Sequence, residues 1–284
     1  MCALRPMLRT MRKFLVPAVL VALISAAGAQ QRDYSALLRR CSQHEKEAMQ
    51  HPQPFQFLER LEMDWGSETR AVIETAEGRV DRIIAFHDKP IAPDQEKKQQ
   101  QRLTRLLNDA KALHDEVADQ REELARRQLL VATLPDAFIF EFAGVEPDGR
   151  LKFKFTPDPK FSPSNRETQV FKGMRGWLWI EPTYERIADV QGELFKDVSF
   201  GWGILGRLYK GGTFEVVQTQ IVPGVWRITT LNLDFKGRAF LFSGLRIFRK
   251  ETSTKFAATS AQVTVRNALT QLLSQAGPSL EAGK

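Results

Sequence analysis

The chain has 284 residues, 43% of them hydrophobic, and a formal net charge of +7. That length can bury an ample core for one domain. Two cysteines, Cys2 and Cys41, are too few for a disulfide framework once the leader described next is gone.

The amino-terminal stretch "MRKFLVPAVLVALISAAGA" starts with Arg12 and Lys13, continues as an apolar run from Phe14 to Ile24, and closes on Ala27-Gly28-Ala29. This is the three-part pattern of a secretory signal peptide, with cleavage expected after Ala29. The apolar run is too short to span a bilayer. Removal of residues 1–29 takes away four cations (Arg5, Arg9, Arg12, Lys13) and no acid, so the charge falls from +7 to +3. No dense basic patch is left, and nucleic acid is not an expected partner. Cys41 follows "SALLRR", where a lipid-anchoring motif needs small residues. No later apolar run is long enough for a transmembrane segment. The expected product is periplasmic: a domain over residues 30–275 with a disordered tail at 276–284.

Leu37, Leu38, Cys41 and Met49 fall at helical spacing, and "HPQPF" breaks the helix. "ETRAVIETAEGRVDRIIAFH" reads as a hairpin turning at Glu77-Gly78. "IAPDQEKK" opens a long polar helix over 94–131 with no Gly or Pro inside it. Leu106, Ala110, Leu113, Val117, Leu124 and Val131 form its apolar stripe, interrupted by Gln120 and Arg127. It is one amphipathic helix of about 55 Å if unbroken, or two helices of a hairpin. It serves either as a partner-binding rod or as a helix with its apolar side on the sheet.

From Phe138 onward the pattern is strand after strand. "FIFEF", "RLKFKF", "RGWLWIE", "RIADVQGEL", "GTFEVVQTQI", "VWRITTLNLDF" and "RAFLFSGLRIFRKETST" are joined by short turns, the last two at Pro223-Gly224 and Lys236-Gly237. Neighbours joined this way run antiparallel. A final helix covers 261–274. The predicted fold class is α+β: a large curved antiparallel β-meander, an unclosed half-barrel, with helices on the concave side and one long inserted amphipathic helix.

Catalytic signatures are missing from the sequence. "GWGILG" at 201–206 matches G-x-G-x-x-G, but Trp202 fills a position that must admit phosphate, and no full helix follows before Gly211-Gly212. His44, His51, His87 and His114 show no metal-ligand spacing. Cys41 and His44, at i and i+3, read more readily as a buried thiol and its neighbour than as a nucleophile pair. The chain is therefore read as a non-enzyme without metal or cofactor.

Aromatics are the excess. Most of Phe138, Phe140, Phe142, Phe153, Phe155, Trp177, Trp179, Trp226, Phe235, Phe240, Phe242 and Phe248 read as core. Trp177 and Trp179 share one strand face, and Leu178 and Ile180 share the other. Tryptophan fills an ordinary core poorly unless its N–H finds a partner. The pair is therefore expected to line an apolar groove, together with Phe140, Phe153, Phe155 and Trp226. Which sheet face forms that groove stays open.

The strand–turn–strand "LWIEPTYERIADVQ" and the later "VPGVWRITTLNLDFKGRAFLFSGLRI" resemble the LolA/LolB-like periplasmic lipoprotein carriers, over about residues 138–256 and, less fully, the hairpin at 68–87. The resemblance implies an unclosed β-barrel with helices inside or capping it, which holds acyl chains of a lipoprotein or another lipid. The helix at 94–131 departs from it and reads as an insertion, and no cavity arginine can be matched. The leading expectation is an exported carrier or sensor of lipid or lipoprotein acyl chains. A non-catalytic envelope adaptor working through the long helix on another envelope protein is second, and a hydrolase third.

Overall fold

The computed structural model describes residues 34–201, 205–239 and 243–274. Residues 1–29, where a signal peptide is expected, the tail at 276–284, Trp202, Phe240 and Phe242 lie outside them. Helix α1 covers 34–50 and buries Leu38, Cys41, Ser42 and Glu45, which is i, i+3, i+4, i+7 spacing on one face. It ends where His51 N donates to Glu47 O at 3.0 Å, just before the two prolines.

Strand β1 (Phe55–Met63) follows at once. Its buried residues alternate: Phe55, Phe57, Glu59, Leu61. The carboxylate in third place hides the alternation from a hydrophobicity pattern, and no strand was expected there. β2 (Gly66–Glu74) and β3 (Arg79–Phe86) form the expected hairpin, and the two-residue β4 (Lys89–Pro90) follows. The turn is held by Thr75, whose hydroxyl donates to Gly78 O at 2.8 Å and accepts from Glu77 N and Gly78 N.

The stretch over 94–131, expected as one long helix or as two helices of a hairpin, is two helices. α2 (Pro93–Asn108) stops at Asp109, which is extended (φ −109°, ψ 99°), and α3 (Ala110–Ala137) begins there. Asp109 Oδ1 accepts from Lys111 N and Ala112 N at 3.0 Å. An acidic N-cap inside a polar run thus ended one helix and started the next. α2 is no appendage: Leu103 and Leu106 pack with α5 (Val265–Ser274), Ile73 and Val80. Arg82 donates to Glu96 and to Leu272 O, which ties β3 to both helices.

α3 runs into β5 (Phe138–Val145) without a loop. Then come β6 (Leu151–Pro157), the short α4 (Arg166–Gln169) with a 3-10 turn, β7 (Met174–Glu181) and β8 (Arg186–Leu194). The remaining strands are β9 (Val198–Phe200), β10 (Gly206–Leu208), β11 (Thr213–Val222), β12 (Val225–Ala239) and β13 (Ser243–Ala258). β12 passes straight through Lys236-Gly237, which were expected to turn. Gly237 serves close approach instead: a Cβ there would stand 2.2 Å from Arg207 O of β10.

All these strands join one antiparallel sheet, in the order β4-β3-β2-β1-β13-β12-β11-β8-β7-β6-β5, with β10 paired to β12 and β9 paired to β10. The sheet is not closed; β4 and β5 are its two ends. The registers trace one row across a single face: Glu68, Leu61, Glu251, Leu231, Val216, Val190, Leu178, Phe153, Phe142. The row is ionic at the β1–β2 end and apolar from β12 to β5. α1 and the last turns of α3 cover the apolar part. α2 and α5 pack on Ile73, next to Val72 and therefore on the opposite face. The helices thus lie on both faces, not on one side as expected, because the amino-terminal strands carry apolar residues outward at Ile73 and Val80.

The ionic end centres on Glu59, 1% exposed, which accepts from Arg79 Nη2 at 2.8 Å. Burial alone pushes its carboxyl up, but the charge and hydrogen bond of Arg79 and the charges of Arg70 and Arg249 outweigh that and hold it below the ordinary range. A folded-state pKa below the unfolded one stabilises the fold above about pH 4.5 and is lost as pH falls through that range. Glu59→Gln should cost about 2 kcal/mol at pH 7, by leaving the half-buried Arg79 without its counter-charge. In urea melts, the variant should also lose part of the acid sensitivity that the wild type shows below pH 4.5.

Candidate functional site

Beneath α1, the apolar face of the sheet lines a partly open cavity of about 60 Å³. Its roof is Leu38, Cys41 and Ser42 of α1 with Leu134 and Pro135 of α3. Its floor includes Phe138, Phe140, Phe155, Leu178, Val190 and Phe214. The only polar side chain in this lining, Ser42, donates its hydroxyl to Val131 O at 2.8 Å and so offers the cavity no donor. Phe214 reaches the cavity across a glycine pair. Gly176 and Gly192 face each other in the β7–β8 register, and a Cβ on Gly192 would meet the Phe214 ring at 2.6 Å.

The roof is fastened by charge. Glu45 of α1, 3% exposed, accepts from Arg186 Nε and Nη2 at 2.8 and 2.7 Å and from Ile187 N at 3.0 Å. Arg40 donates from Nε and Nη2 to Glu185 at 2.8–3.0 Å in the preceding turn. Three donors on one buried carboxylate compensate its desolvation. Cys41 is fully buried, and its thiol is pushed up to about 12, first by burial and then by the charges of Glu185 and Glu45. A thiol so protonated is a poor nucleophile. His44 turns instead to Glu185, at 3.8 Å. Among the described residues no group of His, Cys, Asp and Glu could hold a metal ion, and no helix is long and apolar enough to cross a membrane.

The six residues expected to line one groove are divided between the faces. Phe153 and Phe155 are buried and Phe140 is half-buried in the core under α1, and Phe140 and Phe155 touch the cavity. Leu178 and Ile180 are buried with them. Trp177 and Trp179 therefore point away, onto the face that α1 does not cover, and this corrects the expected groove. Neither indole fills a core. Lys152 Nζ lies 4.9 Å from each ring centroid, and Trp179 Nε1 donates to Glu146 at 3.1 Å. Lys152 also pairs with Glu146 at 3.1 Å. The Trp179 hydrogen bond, then that of Lys152, lowers the Glu146 carboxyl. Trp226 lies at the far end of β12, 6.5 Å from Tyr184.

Beside the tryptophans the same face carries a polar groove of about 500 Å³, lined by Gln191, Glu215, Asn232, Asp234, Phe248 and Lys250 among others. Gln191 Nε2 donates to Asp189 at 2.9 Å and to Glu215 at 3.1 Å, and Asn232 Nδ2 donates to Glu215 at 2.5 Å. Asp189, only 8% exposed, is pushed up to about 6. Burial is the main cause and the charge of Glu215 adds to it, against the Gln191 hydrogen bond and the Arg150 charge. Its Oδ1 has no hydrogen-bond partner. None of this was foreseen: the carboxylates come from β8, β11 and β12, and only the register brings them together. The visible signal was the polar alternation of Asp189, Gln191 and Glu193 along one strand.

No family model, curated protein or solved structure matches the chain.

Two outcomes follow from these environments. In a Cys2→Ser background, Cys41 should react with a thiol-specific dye far more slowly in the native protein than in urea, a difference read by absorbance. Asp189 has a folded pKa raised above 3.8, so its contribution to stability falls as pH rises from about 4 to 6. Asp189→Asn should therefore raise the urea midpoint at pH 7, for a stability gain on the order of 2 kcal/mol, and change little at pH 3.5.

Proposed function

We propose that the protein is an exported carrier or sensor that takes an acyl chain of a lipid or lipoprotein into the cavity beneath α1, as its resemblance to LolA/LolB-like carriers implies. The observation that carries this reading is the lining. Apolar side chains from α1, α3 and five strands meet around an internal space whose one hydroxyl is already engaged. A core built for packing alone closes such space, since interiors approach crystal density.

About 60 Å³ accepts only the end of an acyl chain, so a longer segment requires α1 to move off the sheet. Burial then yields about 0.8 kcal/mol per methylene. About ten methylenes would match the roughly 8 kcal/mol of micromolar binding before ordering costs, and a few more would offset those costs. Arg12, Lys13, the apolar run and Ala27-Gly28-Ala29 support export to the periplasm. The half-barrel belongs to the same proposal: a curl of the open sheet would make the α1-covered face its inner side.

A second reading, an envelope adaptor, is favoured by α3. That helix has 28 residues and buries only Ala137, and Glu122, Glu123, Arg126 and Arg127 form solvent-facing pairs along it. An adaptor of this kind would bind no acyl chain.

Titration with dansyl-undecanoic acid separates the two. A carrier binds it, and Leu134→Trp, which fills the cavity from α3, should weaken binding at least tenfold, for an overpacking cost of about 1–3 kcal/mol in stability. Trp179→Ala, on the other face, should leave affinity unchanged. Equal affinity of the Leu134→Trp variant and the wild type would eliminate the cavity as the site.

A further inference from the structure

The sheet face opposite the acyl cavity is also built for a ligand, of a different chemistry. From β7 toward β13 it carries Trp179, Asp189, Trp177, Gln191, Glu215 and Asn232, which the β7–β8, β8–β11 and β11–β12 registers place side by side. α2 and α5 cover the β2–β3 end of this face and leave that stretch bare.

Three observations point to what it holds. An aromatic ring stands in the open: Trp177 is 39% exposed, with Trp179 two residues along the same face. A polar atom lies buried with nothing to bond: Asp189 Oδ1. Leaving such a group unpaired costs on the order of 1–3 kcal/mol, a cost recovered when a ligand supplies the missing partner. The charge is mixed: Asp189, Glu215 and Asp234 against Lys152 and Lys250. That argues against phosphate or nucleic acid, which need concentrated cations.

A ligand with ring faces for the indoles and many hydroxyls, each both donor and acceptor, fits all three. We propose that this face binds a neutral saccharide chain, with pyranose rings against Trp177 and hydroxyls on Asp189, Gln191, Glu215 and Asn232. The apolar C–H face of a pyranose packs on an indole much as another apolar side chain does, while its equatorial hydroxyls point outward to the sides. A carboxylate–amide row accepts and donates along that edge. Asp189, between the Trp179 position and Gln191, supplies the acceptor with no partner in the protein.

The proposal is independent of the acyl cavity, since the two sites use alternate residues of the same strands. The experiment is isothermal titration of the full chain with chitohexaose, cellohexaose and maltohexaose, with the dansyl-undecanoic acid titration run in parallel. At least one hexasaccharide should bind. Trp177→Ala and Asp189→Asn should each weaken it about tenfold or more, equivalent to about 1.4 kcal/mol, and Trp65→Ala, at an exposed ring beside β1 and β2, should not. Trp177 is exposed, so its variant keeps the fold, which an unchanged urea midpoint would verify. Absence of binding for all three sugars overturns the proposal, and so does binding that Trp177→Ala and Asp189→Asn leave intact. Neither result bears on acyl-chain binding, and loss of acyl binding leaves the saccharide result standing.

Discussion

The ladder between β1 and β13 holds the rest of the architecture together. β1 pairs with β13 from Phe55↔Ala258 to Met63↔Arg249, so the first and last strands meet in the middle of the sheet. Without that ladder the amino-terminal strands and the carboxy-terminal meander would be two small sheets, each with an extra exposed edge. Its contacts span about two hundred residues, and long-range closure of this kind slows folding. The same junction gathers the buried Glu59–Arg79 pair, with Glu251 and Ser253 of β13 on the same face. The charges sit where two separately built halves must find one register. Glu59 and Arg79 both belong to the amino-terminal half, so a one-residue slip of β1 on β13 would keep that pair but set Glu59 and Leu61 on the opposite face from Ser253 and Glu251.

Strands β7 and β8 carry the molecule's division of labour. Leu178 and Val190 face the cavity and Ile180 packs in the core around it, while Trp177, Trp179, Asp189 and Gln191 face the other way. One extended backbone therefore serves two environments, a covered apolar one and an open polar one. Gly176 and Gly192 are the concession to this arrangement. With no side chain at either position, Phe214 can lie across the strands and reach the cavity. A substitution at Gly192 would affect the cavity by displacing Phe214, though the residue itself does not line it.

Much of the fold was legible in the sequence because its strands alternate cleanly. Leu151, Phe153 and Phe155 against Lys152 and Lys154 is such a pattern, and the 68–87 hairpin and the antiparallel meander followed from others. The failures have specific physical causes. β1 was hidden because Glu59 occupies an interior position and is neutralised by partners far away in sequence. The break at Asp109 was hidden because an N-cap aspartate looks like any charge in a polar helix. Gly237 looked like a turn because glycine for close approach and glycine for chain reversal are the same letter. For the site, strand geometry correctly paired Trp177 with Trp179 and opposed them to Leu178 and Ile180. Which pair faced the interior depended on α1, and nothing local to β7 specifies where α1 docks. Lys152 completes the picture: its ammonium sits against the two indoles, so large aromatics belong on an exposed face.

The unpaired side of β5 has a practical consequence. It is one of the two ends of the sheet and carries exposed Ile139, Phe142 and Val145, while β4 at the other end has only two residues. Backbone groups on such an edge are a template for any extended chain that meets them. Gly144, at φ +127°, shifts the register against β6 and bends the last residues of the strand, which shortens the straight template. What is left, Phe138 to Phe142, is apolar apart from Glu141. Self-association at high concentration should therefore begin there, and that one carboxylate makes colloidal behaviour at this edge sensitive to salt and acid in a way the net charge of the whole chain would not reveal.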